Sequence, residues 1–205
     1  MHEDRADDAH DRPEVIVAVV LAAGSGSRFA ADMHKLHAVI DGRPVGAIAI
    51  ATAAEAGIGP VVVVAGAAEP PLPGAAVRVV HNPDWQEGQS TSLQAGVRAA
   101  NELGADAVVV GLADQPFVEA ESWRRVAASR SPIAVATYDD EPRNPVRLHR
   151  SVWPLLPTEG DVGARGVARM RPDLVERVPC PGSPADIDTV EDLERWQNRS
   201  STNSP

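Results

Sequence analysis

The stretch that decides the fold is Val15–Leu21 (VIVAVVL), which leads directly into the loop Ala22–Phe29 (AAGSGSRF). An unbroken apolar run rich in β-branched residues is typical of a strand that is buried on both faces of a sheet. A loop that follows the carboxyl end of such a strand is where α/β sheets bind ligands. The segment therefore predicts the first strand of an α/β sheet and, directly after it, a ligand site.

The same pattern continues along the chain. Further strands are predicted at Val61–Ala65, Val77–His81, Ala107–Leu112 and Ile133–Thr137, with short extended pieces at His37–Ile40 and Pro145–His149. Helices are predicted up to about Ala56 and at Ser90–Leu103, Glu119–Ser129 and Val190–Gln197, with two short helical stretches before the last one. Apolar strands separated by helices predict a single α/β domain, with a mostly parallel central sheet covered by helices on both faces.

The two ends of the chain differ from this pattern. Residues 1–13 (MHEDRADDAHDRP) are acidic and residues 198–205 (NRSSTNSP) are polar, and neither segment has the side chains that build a core. We expect both to be disordered tails around a domain at residues 14–197.

The composition limits the cellular compartment and the classes of binding partner that we expect. The formal net charge of -10 argues against nucleic acid as a partner, since such proteins present a basic face. No apolar run reaches the ~18 residues of a membrane span, and the acidic first residues do not resemble a secretory signal. Cys180 is the only cysteine, which excludes an intramolecular disulfide and a cysteine metal cluster. We therefore expect a cytoplasmic protein without membrane or nucleic-acid partners.

The loop after the first strand has the residues that a triphosphate requires. Gly24 and Gly26 allow backbone amides to approach a phosphate, Ser25 adds a hydroxyl group, and Arg28 and Lys35 add positive charge. A dinucleotide fingerprint would need a very small residue at the position of Phe29, and the P-loop pattern G-x-x-x-x-G-K-[ST] is absent. An ordinary strand-to-helix turn is the alternative.

Two aspartates are candidate metal ligands. Asp114, in Leu112–Pro116 (LADQP), follows a predicted strand, and Asp188 lies in Asp186–Leu193 (DIDTVEDL). Carboxylate oxygens suit Mg²⁺. Either aspartate alone would also suit a turn or helix cap, and Thr189 is predicted to cap the last helix.

Taken together, these segments resemble the molybdenum cofactor cytidylyltransferases and guanylyltransferases. LAAGxGxR followed by Lys-Leu is similar to the opening motif of that family, and the two aspartates are similar to its metal ligands. Phe29 and Ala30 replace the family's Met-Gly, Lys35 stands two residues later than strict counting, at Met33, would place it, and Val190 replaces a proline. Three more segments match its acceptor side: Asn82–Gly96 (NPDWQEGQSTSLQAG), Arg143–Val146 (RNPV) and Gly160–Arg165 (GDVGAR).

The resemblance implies a fold of the nucleotide-diphospho-sugar transferase type and a role for each matching residue. It assigns catalysis to Arg28, Lys35 and Asp114, and Mg²⁺ to Asp114 and Asp188. It assigns the nucleotide to Leu21, Ala22, Ala23, Gly24, Ser25, Gly26, Arg28, Lys35, Ser90 and Asp114. It assigns the acceptor to Asn144, Asp161 and Arg165.

The implied reaction transfers CMP from CTP to a phosphorylated acceptor, molybdopterin above all, with release of pyrophosphate and with a molybdoenzyme-maturation partner downstream. CTP is favoured because Ala22-Ala23 resembles the LAAG of the cytidylyl branch rather than the LAGG of the guanylyl branch. The alternatives are a sugar- or polyol-phosphate acceptor, an NAD(P)H-dependent oxidoreductase acting on a heterocycle, and a nucleotide-binding protein without catalysis.

Overall fold

The structure is a computed structural model that describes residues 12–26, 29, 33–74 and 76–202, with backbone alone at 198–202. Most of the predicted N-terminal tail, the end of the predicted C-terminal tail and the predicted site residue Arg28 lie outside the described residues.

Seven strands form the central sheet. They are β1 (Ile16–Ala22), β4 (Val61–Ala65), β5 (Arg78–His81), β6 (Ala107–Leu112), β7 (Ile133–Tyr138), β8 (Glu141–His149) and β9 (Val175–Pro179). Their spatial order is β5-β4-β1-β6-β8-β7-β9. Two further strands, β2 (Val39–Ile40) and β3 (Arg43–Pro44), pair with each other in a small antiparallel ribbon.

The first half of the sheet is parallel, as predicted. Strand β1 pairs in parallel with both β4 and β6, and β4 pairs in parallel with β5. These four strands lie within one or two residues of their predicted bounds, and the valine-rich runs of β1, β4 and β6 are buried on both faces, as the pattern predicts. Their carboxyl ends meet at one edge of the sheet.

The second half differs from the sequence prediction. Strand β8 inserts between β6 and β7 and is antiparallel to both, while β9 is parallel to β7. The prediction had only a short extended piece at Pro145–His149 and no strand at Val175–Pro179. Both strands contain proline and arginine, which mask the apolar pattern of a strand, and β9 is an exposed edge strand.

Five helices complete the fold: α1 (Val45–Glu55), α2 (Gln89–Glu102), α3 (Ala120–Ala127), α4 (Ala164–Met170) and α5 (Val190–Thr202). Helices α2 and α4 share one core with the odd-numbered residues of β1, and α1 and α3 share another with the even-numbered ones. This division follows from the alternation of side chains along a strand. None of the helices in the described ranges has both the length and the apolarity needed to cross a bilayer.

Small side chains bring helices and sheet into close contact. A Cβ at Gly96 of α2 would lie 2.5 Å from Cγ1 of Val19 and 3.2 Å from Cγ2 of Val64. A Cβ at Gly111 of β6 would likewise lie 2.5 Å from the ring of Trp123. Glycine at these positions therefore sets the distance between the sheet and the layers on either side of it.

A third, smaller core holds the C-terminal helix against the domain. Ile187 is fully buried beside Phe29 and Ile40, and the rings of Phe117 and Trp196 stack with their centroids 3.8 Å apart. This cluster joins the last helix to the segments that follow β1 and β6.

Ion pairs and hydrogen bonds stabilise the end of the sheet that lies opposite the carboxyl ends of the parallel strands. Arg147 of β8 is almost fully buried and pairs with Glu14, and its Nη1 donates a 2.6 Å hydrogen bond to the carbonyl of Ser131. Arg12 donates two hydrogen bonds, of 2.8 and 2.9 Å, to the carboxylate of Asp106.

The contact at Gly96 generates a test of the packing. We expect Gly96→Ala to lower the free energy of unfolding by about 1–3 kcal/mol, because the added methyl group overpacks the core. Urea unfolding measures the change.

The matched control is Gly96→Ala combined with Val19→Ala, which removes the methyl group in contact. The double variant should be less destabilised than the sum of the two single variants. Strict additivity would contradict the role given to this contact.

Candidate active site

The parallel pairing of β1 with β6 creates the site. Leu21 lies opposite Leu112, and the amide of Ala113 donates a 3.0 Å hydrogen bond to the carbonyl of Leu21. The glycine loop after β1 and Asp114 after β6 therefore leave the sheet side by side, as expected for the carboxyl edge of a parallel sheet.

The centre of the site is an ammonium group between two carboxylates. Nζ of Lys35 donates to Oδ2 of Asp114 at 2.5 Å and to Oδ1 of Asp188 at 2.6 Å. Burial by itself would lower the pKa of Lys35, but the attraction of both carboxylates outweighs it and raises the pKa above the usual value. Lys35 is also the only lysine in the chain, and the residue considered in its place, Met33, is exposed.

Backbone contacts bring Asp188 to Asp114 across the chain. The amide of Ile187 donates a 2.9 Å hydrogen bond to the carbonyl of Asp114. The predicted cap of the last helix is confirmed: Oγ1 of Thr189 accepts from the amide of Asp192 at 3.2 Å, and the Asp192 carboxylate accepts from the amide of Thr189 at 3.1 Å. The same carboxylate accepts from the amide of Asp188 at 3.3 Å, which orients that residue.

A third carboxylate, Asp186, lies beside the pair. Its Oδ1 accepts from Nε2 of Gln115 at 2.7 Å, and Oε1 of Gln115 accepts from Nδ2 of Asn144 at 3.4 Å. The residue keeps exposed surface, but desolvation of its carboxyl group and the negative charge of Asp114 raise its pKa. Negative charge therefore exceeds what the single lysine neutralises.

These carboxylates fit a divalent cation. Oδ1 of Asp114 is buried and has no hydrogen-bond partner among the described residues. In the part of the chain that the structure describes, no group of three or more His, Cys, Asp or Glu side chains is arranged to hold a metal ion. A metal would thus take carboxylates from Asp114 and Asp188 and complete its shell with phosphate oxygens and water, as Mg²⁺ commonly does.

The glycine loop borders a cavity of 330 Å³ at this edge of the sheet. Its lining includes Leu21, Ala22, Ala23, Gly24, Ser25, Lys35, Asp114 and Asp161 among the predicted site residues, Gly88 and Ser92 from the matching segment Asn82–Gly96, and His34, Trp85, Gln86 and Gln89, to which no role was assigned. The structure therefore brings most of the predicted nucleotide residues together around one cavity.

His34 holds the glycine loop in place. Its Nε2 donates a 2.8 Å hydrogen bond to the carbonyl of Gly24, and its Nδ1 accepts from the amide of Leu36. The imidazole ring therefore connects the glycine loop to the segment that carries Lys35. Gly26 has φ +62, and a Cβ there would lie 3.1 Å from the imidazole of His34. The only sequence signal for this role of His34 was its position directly before Lys35.

Ser90 lies away from the cavity lining. It is fully buried, its hydroxyl group donates to the carbonyl of Val162 at 3.0 Å, and its amide donates to the carbonyl of Gly160 at 2.9 Å. Gly88, with φ +112, approaches the same loop so closely that a Cβ would lie 2.4 Å from Gly160. Ser90 thus fastens the loop that carries Asp161, and Ser92 lines the cavity instead.

The predicted acceptor residues line a second cavity, which has a smaller volume of 90 Å³. Asn144, Asp161 and Arg165 all border it, and it shares Asp161, Leu21, Gln89 and Leu112 with the first cavity. Asn144 is buried, whereas Asp161 is exposed. The two cavities therefore adjoin along the same edge of the sheet.

A mostly parallel sheet with a glycine loop at its carboxyl edge, facing carboxylates and a lysine, is the arrangement of an α/β nucleotidyltransferase. The chain belongs to the family described as the MobA-like NTP transferase domain, whose model matches residues 18–177.

Relatives of known sequence or structure agree with this membership. The purine catabolism protein PucB of Bacillus subtilis is 27% identical over 200 residues, which cover 89% of this chain and 96% of PucB. A nucleotidyl transferase from Methanothermobacter superposes with a TM-score of 0.74 at 25% identity, covering 94% of this chain and 100% of the other. Rv0371c of Mycobacterium tuberculosis superposes with a TM-score of 0.76 at 26% identity, covering 90% and 98%, and a structure of its complex with manganese is known.

The raised pKa of Asp186 generates a prediction about stability. A carboxyl group whose pKa is raised in the folded state opposes folding once it loses its proton. Asp186→Asn removes the charge and keeps an oxygen for Gln115. We therefore expect Asp186→Asn to melt at a higher temperature than wild type at neutral pH. The advantage should shrink as the pH falls toward about 4, because the carboxyl group of Asp186 in wild type then gains a proton and becomes neutral like the amide of the variant.

Thermal unfolding at a series of pH values measures this difference. Asp186→Ala is the control, because it removes the hydrogen-bond acceptor as well as the charge and should gain less. An advantage of Asp186→Asn that did not depend on pH would contradict the electrostatic explanation.

Proposed function

We propose that this chain transfers CMP from CTP, bound with Mg²⁺, to a phosphorylated acceptor of the molybdopterin type and releases pyrophosphate. The observation that carries the proposal is the position of the Lys35 ammonium between Asp114 and Asp188, directly beside the glycine loop. Family membership supports nucleotidyl transfer from a nucleoside triphosphate. The base, the metal and the acceptor are the parts that we add.

Each residue has a chemical role in this proposal. The amides of Gly24 and Ser25 bind the triphosphate, and Lys35 and Arg28 neutralise its charge. Asp114 and Asp188 would hold Mg²⁺, which when bound offsets charge on the phosphates and aligns them. Ser90, although it lies outside the cavity, keeps the Asp161 loop in position.

The reaction is an in-line displacement at the α-phosphorus. An oxygen of the acceptor phosphate forms a new bond to the α-phosphorus, and the bond from that phosphorus to the oxygen bridging the α- and β-phosphates breaks. Both electrons of the broken bond leave with pyrophosphate. A phosphate nucleophile is already ionised at neutral pH, so no general base is required, and the task of the site is to bring anions together and align them.

Asn144, Asp161 and Arg165 are the proposed acceptor residues. Asn144 is held by Gln115, which also holds Asp186, so the acceptor cavity and the carboxylate cluster are joined through one side chain. The proposed catalytic unit spans residues 14–197 and works in the cytoplasm on soluble nucleotide, with a molybdoenzyme-maturation factor as the partner that receives the product.

Alternative acceptors are distinguishable by assay. A sugar phosphate or polyol phosphate would use the same nucleotide site and change only what occupies the second cavity. Membership of a nucleotidyltransferase family favours this class over the oxidoreductase considered from sequence. Pyrophosphate release with molybdopterin, with sugar phosphates and without acceptor separates these possibilities, and NADPH oxidation tests the oxidoreductase.

The metal ligands generate a direct test. We expect Asp114→Asn and Asp188→Asn each to lower Mg²⁺-dependent pyrophosphate release by at least about 100-fold while the protein stays folded, because each variant removes one charged oxygen ligand. Asp140→Asn is the matched control, since Asp140 is an exposed turn residue with φ 64, which asparagine tolerates. Near-normal turnover in both site variants would refute the metal assignment.

The choice of base generates a second test. Ala23 lines the nucleotide cavity and is almost fully buried against the next loop, so that a Cβ at Gly66 would lie 2.7 Å from its methyl group. We expect a preference for CTP over GTP, because this filled position leaves less room for a purine. Discrimination of about 10- to 200-fold is expected from steric effects of this size.

Initial rates with CTP and GTP in wild type and Ala23→Gly measure this preference, which glycine should reduce. Ala22→Gly is the matched control, because Ala22 borders the same cavity but its side chain packs on the other face of the sheet, in the core shared with α1 and α3, whereas Ala23 lies on the face covered by α2. Equal rates with both triphosphates in wild type, or an unchanged preference in Ala23→Gly, would contradict the hypothesis.

A further inference from the structure

A third cavity continues the line of the first two. It has a volume of 580 Å³ and lies between α4 and the strands β7, β8 and β9. Arg165 and Arg169 border both this cavity and the 90 Å³ acceptor cavity, which in turn adjoins the nucleotide cavity through Asp161. The three cavities thus adjoin one another through shared side chains, and we call this series the groove; its largest cavity shares no lining residue with the cavity at the glycine loop.

Four arginines surround this third cavity, which we call the arginine pocket. Arg165 and Arg169 are four residues apart on α4 and so lie on the same face of the helix. Arg177 of β9 lies opposite Val135 of β7 in the sheet, and Arg143 of β8 lies opposite the next residue of β7. Arg165 and Arg169 border the pocket from the helix, and Arg143 and Arg177 border it from the strands.

The positive charge of the arginine pocket is largely uncompensated. Arg143 approaches Glu141 at 3.8 Å, and Glu141 is the only carboxylate that lines the pocket. Arg165, Arg169 and Arg177 have no ion-pair partner within 4.0 Å among the described residues. Burial lowers the pKa of Arg165, the attraction of Asp186 and Asp114 opposes that effect, and the neighbouring Arg143 and Arg169 add to it. In a chain with a net charge of -10, four arginines around one cavity with a single carboxylate in its lining indicate an anionic ligand.

The rest of the lining is apolar. Val135, Ala168, Pro142, Pro172 and Val175 complete the wall between the arginines. Cavities of about 300–1,000 Å³ with apolar walls and a few polar groups are typical of small-molecule sites. The apolar walls between the arginines favour a compact organic anion with an apolar body over an acidic peptide segment, which would present charge along its whole length.

We propose that the arginine pocket binds a second anionic group of the acceptor, joined by an apolar body to the phosphate that attacks CTP. This inference rests on the proposed function, because it takes the neighbouring cavities as the acceptor and nucleotide sites. It adds that the acceptor has an anionic group at each end, and it makes Arg169 and Arg177 specificity residues. Simple monophosphate acceptors, which leave the pocket empty, are then poor substrates.

A binding experiment tests the pocket without relying on the reaction. The probe is 1-naphthyl phosphate, an aromatic anion, titrated calorimetrically into protein saturated with a non-hydrolysable CTP analogue and Mg²⁺ so that the nucleotide site is filled. Wild type should bind the probe, and Arg169→Ala combined with Arg177→Ala should bind it at least about tenfold more weakly, because two charge-assisted hydrogen bonds are lost.

The matched control is Arg98→Ala. Arg98 is an exposed arginine on α2, on the same side of the sheet, and lies outside the three cavities, so its variant loses a similar charge without touching the groove. Equal probe affinity in wild type and the double variant would overturn the inference. So would binding of an octaglutamate peptide, but not of 1-naphthyl phosphate, at these arginines. Melting temperatures verify that each variant is folded.

Kinetics separate this inference from the proposed function. With molybdopterin as acceptor, Arg177→Ala should raise the KM for the acceptor by about tenfold and leave the KM for CTP within about twofold. A wild-type protein that binds the probe but transfers no nucleotide would refute the proposed function and leave the anion site standing. Normal transfer with an unchanged acceptor KM in Arg177→Ala would refute the second anionic contact alone.

Discussion

The structure depends on the neutralisation of negative charge at one edge of the sheet. Asp114 and Asp188 share a single ammonium group, and Asp186 lies next to them with a raised pKa. Two like charges so close together repel, and the repulsion is strong where water is partly excluded. Lys35 is the cation that the chain supplies against it. The loop after β1, the segment after β6 and the start of α5 are therefore held at one point by charge as well as by the small core around Ile187.

Small residues determine how close the supporting layers come. The sheet is built of valine and alanine, and glycines at the helix and strand contacts let α2 and α3 lie almost directly on it. Dense packing of this kind resists displacement. The loops at the carboxyl edge consequently start from fixed points, and the bond between the amide of Ile187 and the carbonyl of Asp114 extends that order to the C-terminal segment.

The parallel half of the sheet was predictable from sequence; in the other half β7 was predicted where it lies, but the full length of β8 and the whole of β9 were not. Apolar runs such as Val61–Ala65 and Ala107–Leu112 predict buried strands, and the structure has strands at those bounds. Strand β8 includes arginine at an almost fully buried position, and the ion pair with Glu14, more than a hundred residues away, together with the hydrogen bond to the carbonyl of Ser131, makes that burial tolerable. The sequence pattern around Arg147 does not show a partner so far away in the chain, so it could not predict the full length of this buried strand. For the site, sequence resemblance located the glycine loop, Lys35 and Asp114, which surround one cavity, whereas the supporting roles of His34 and Gln115 depend on tertiary contacts alone.

The contrast between the net negative charge of the chain and the arginines at one end of the groove has a kinetic consequence. Beyond a Debye length, ~8 Å at physiological ionic strength, an approaching anion meets a screened remnant of the chain's net negative charge. Inside the arginine pocket it meets guanidinium groups between partly apolar walls, where attraction is much stronger. The potential far from the protein and the potential inside the pocket therefore have opposite signs. Added salt would weaken the repulsion during diffusion toward the protein and the attraction after entry, so encounter and residence should respond to ionic strength in opposite directions.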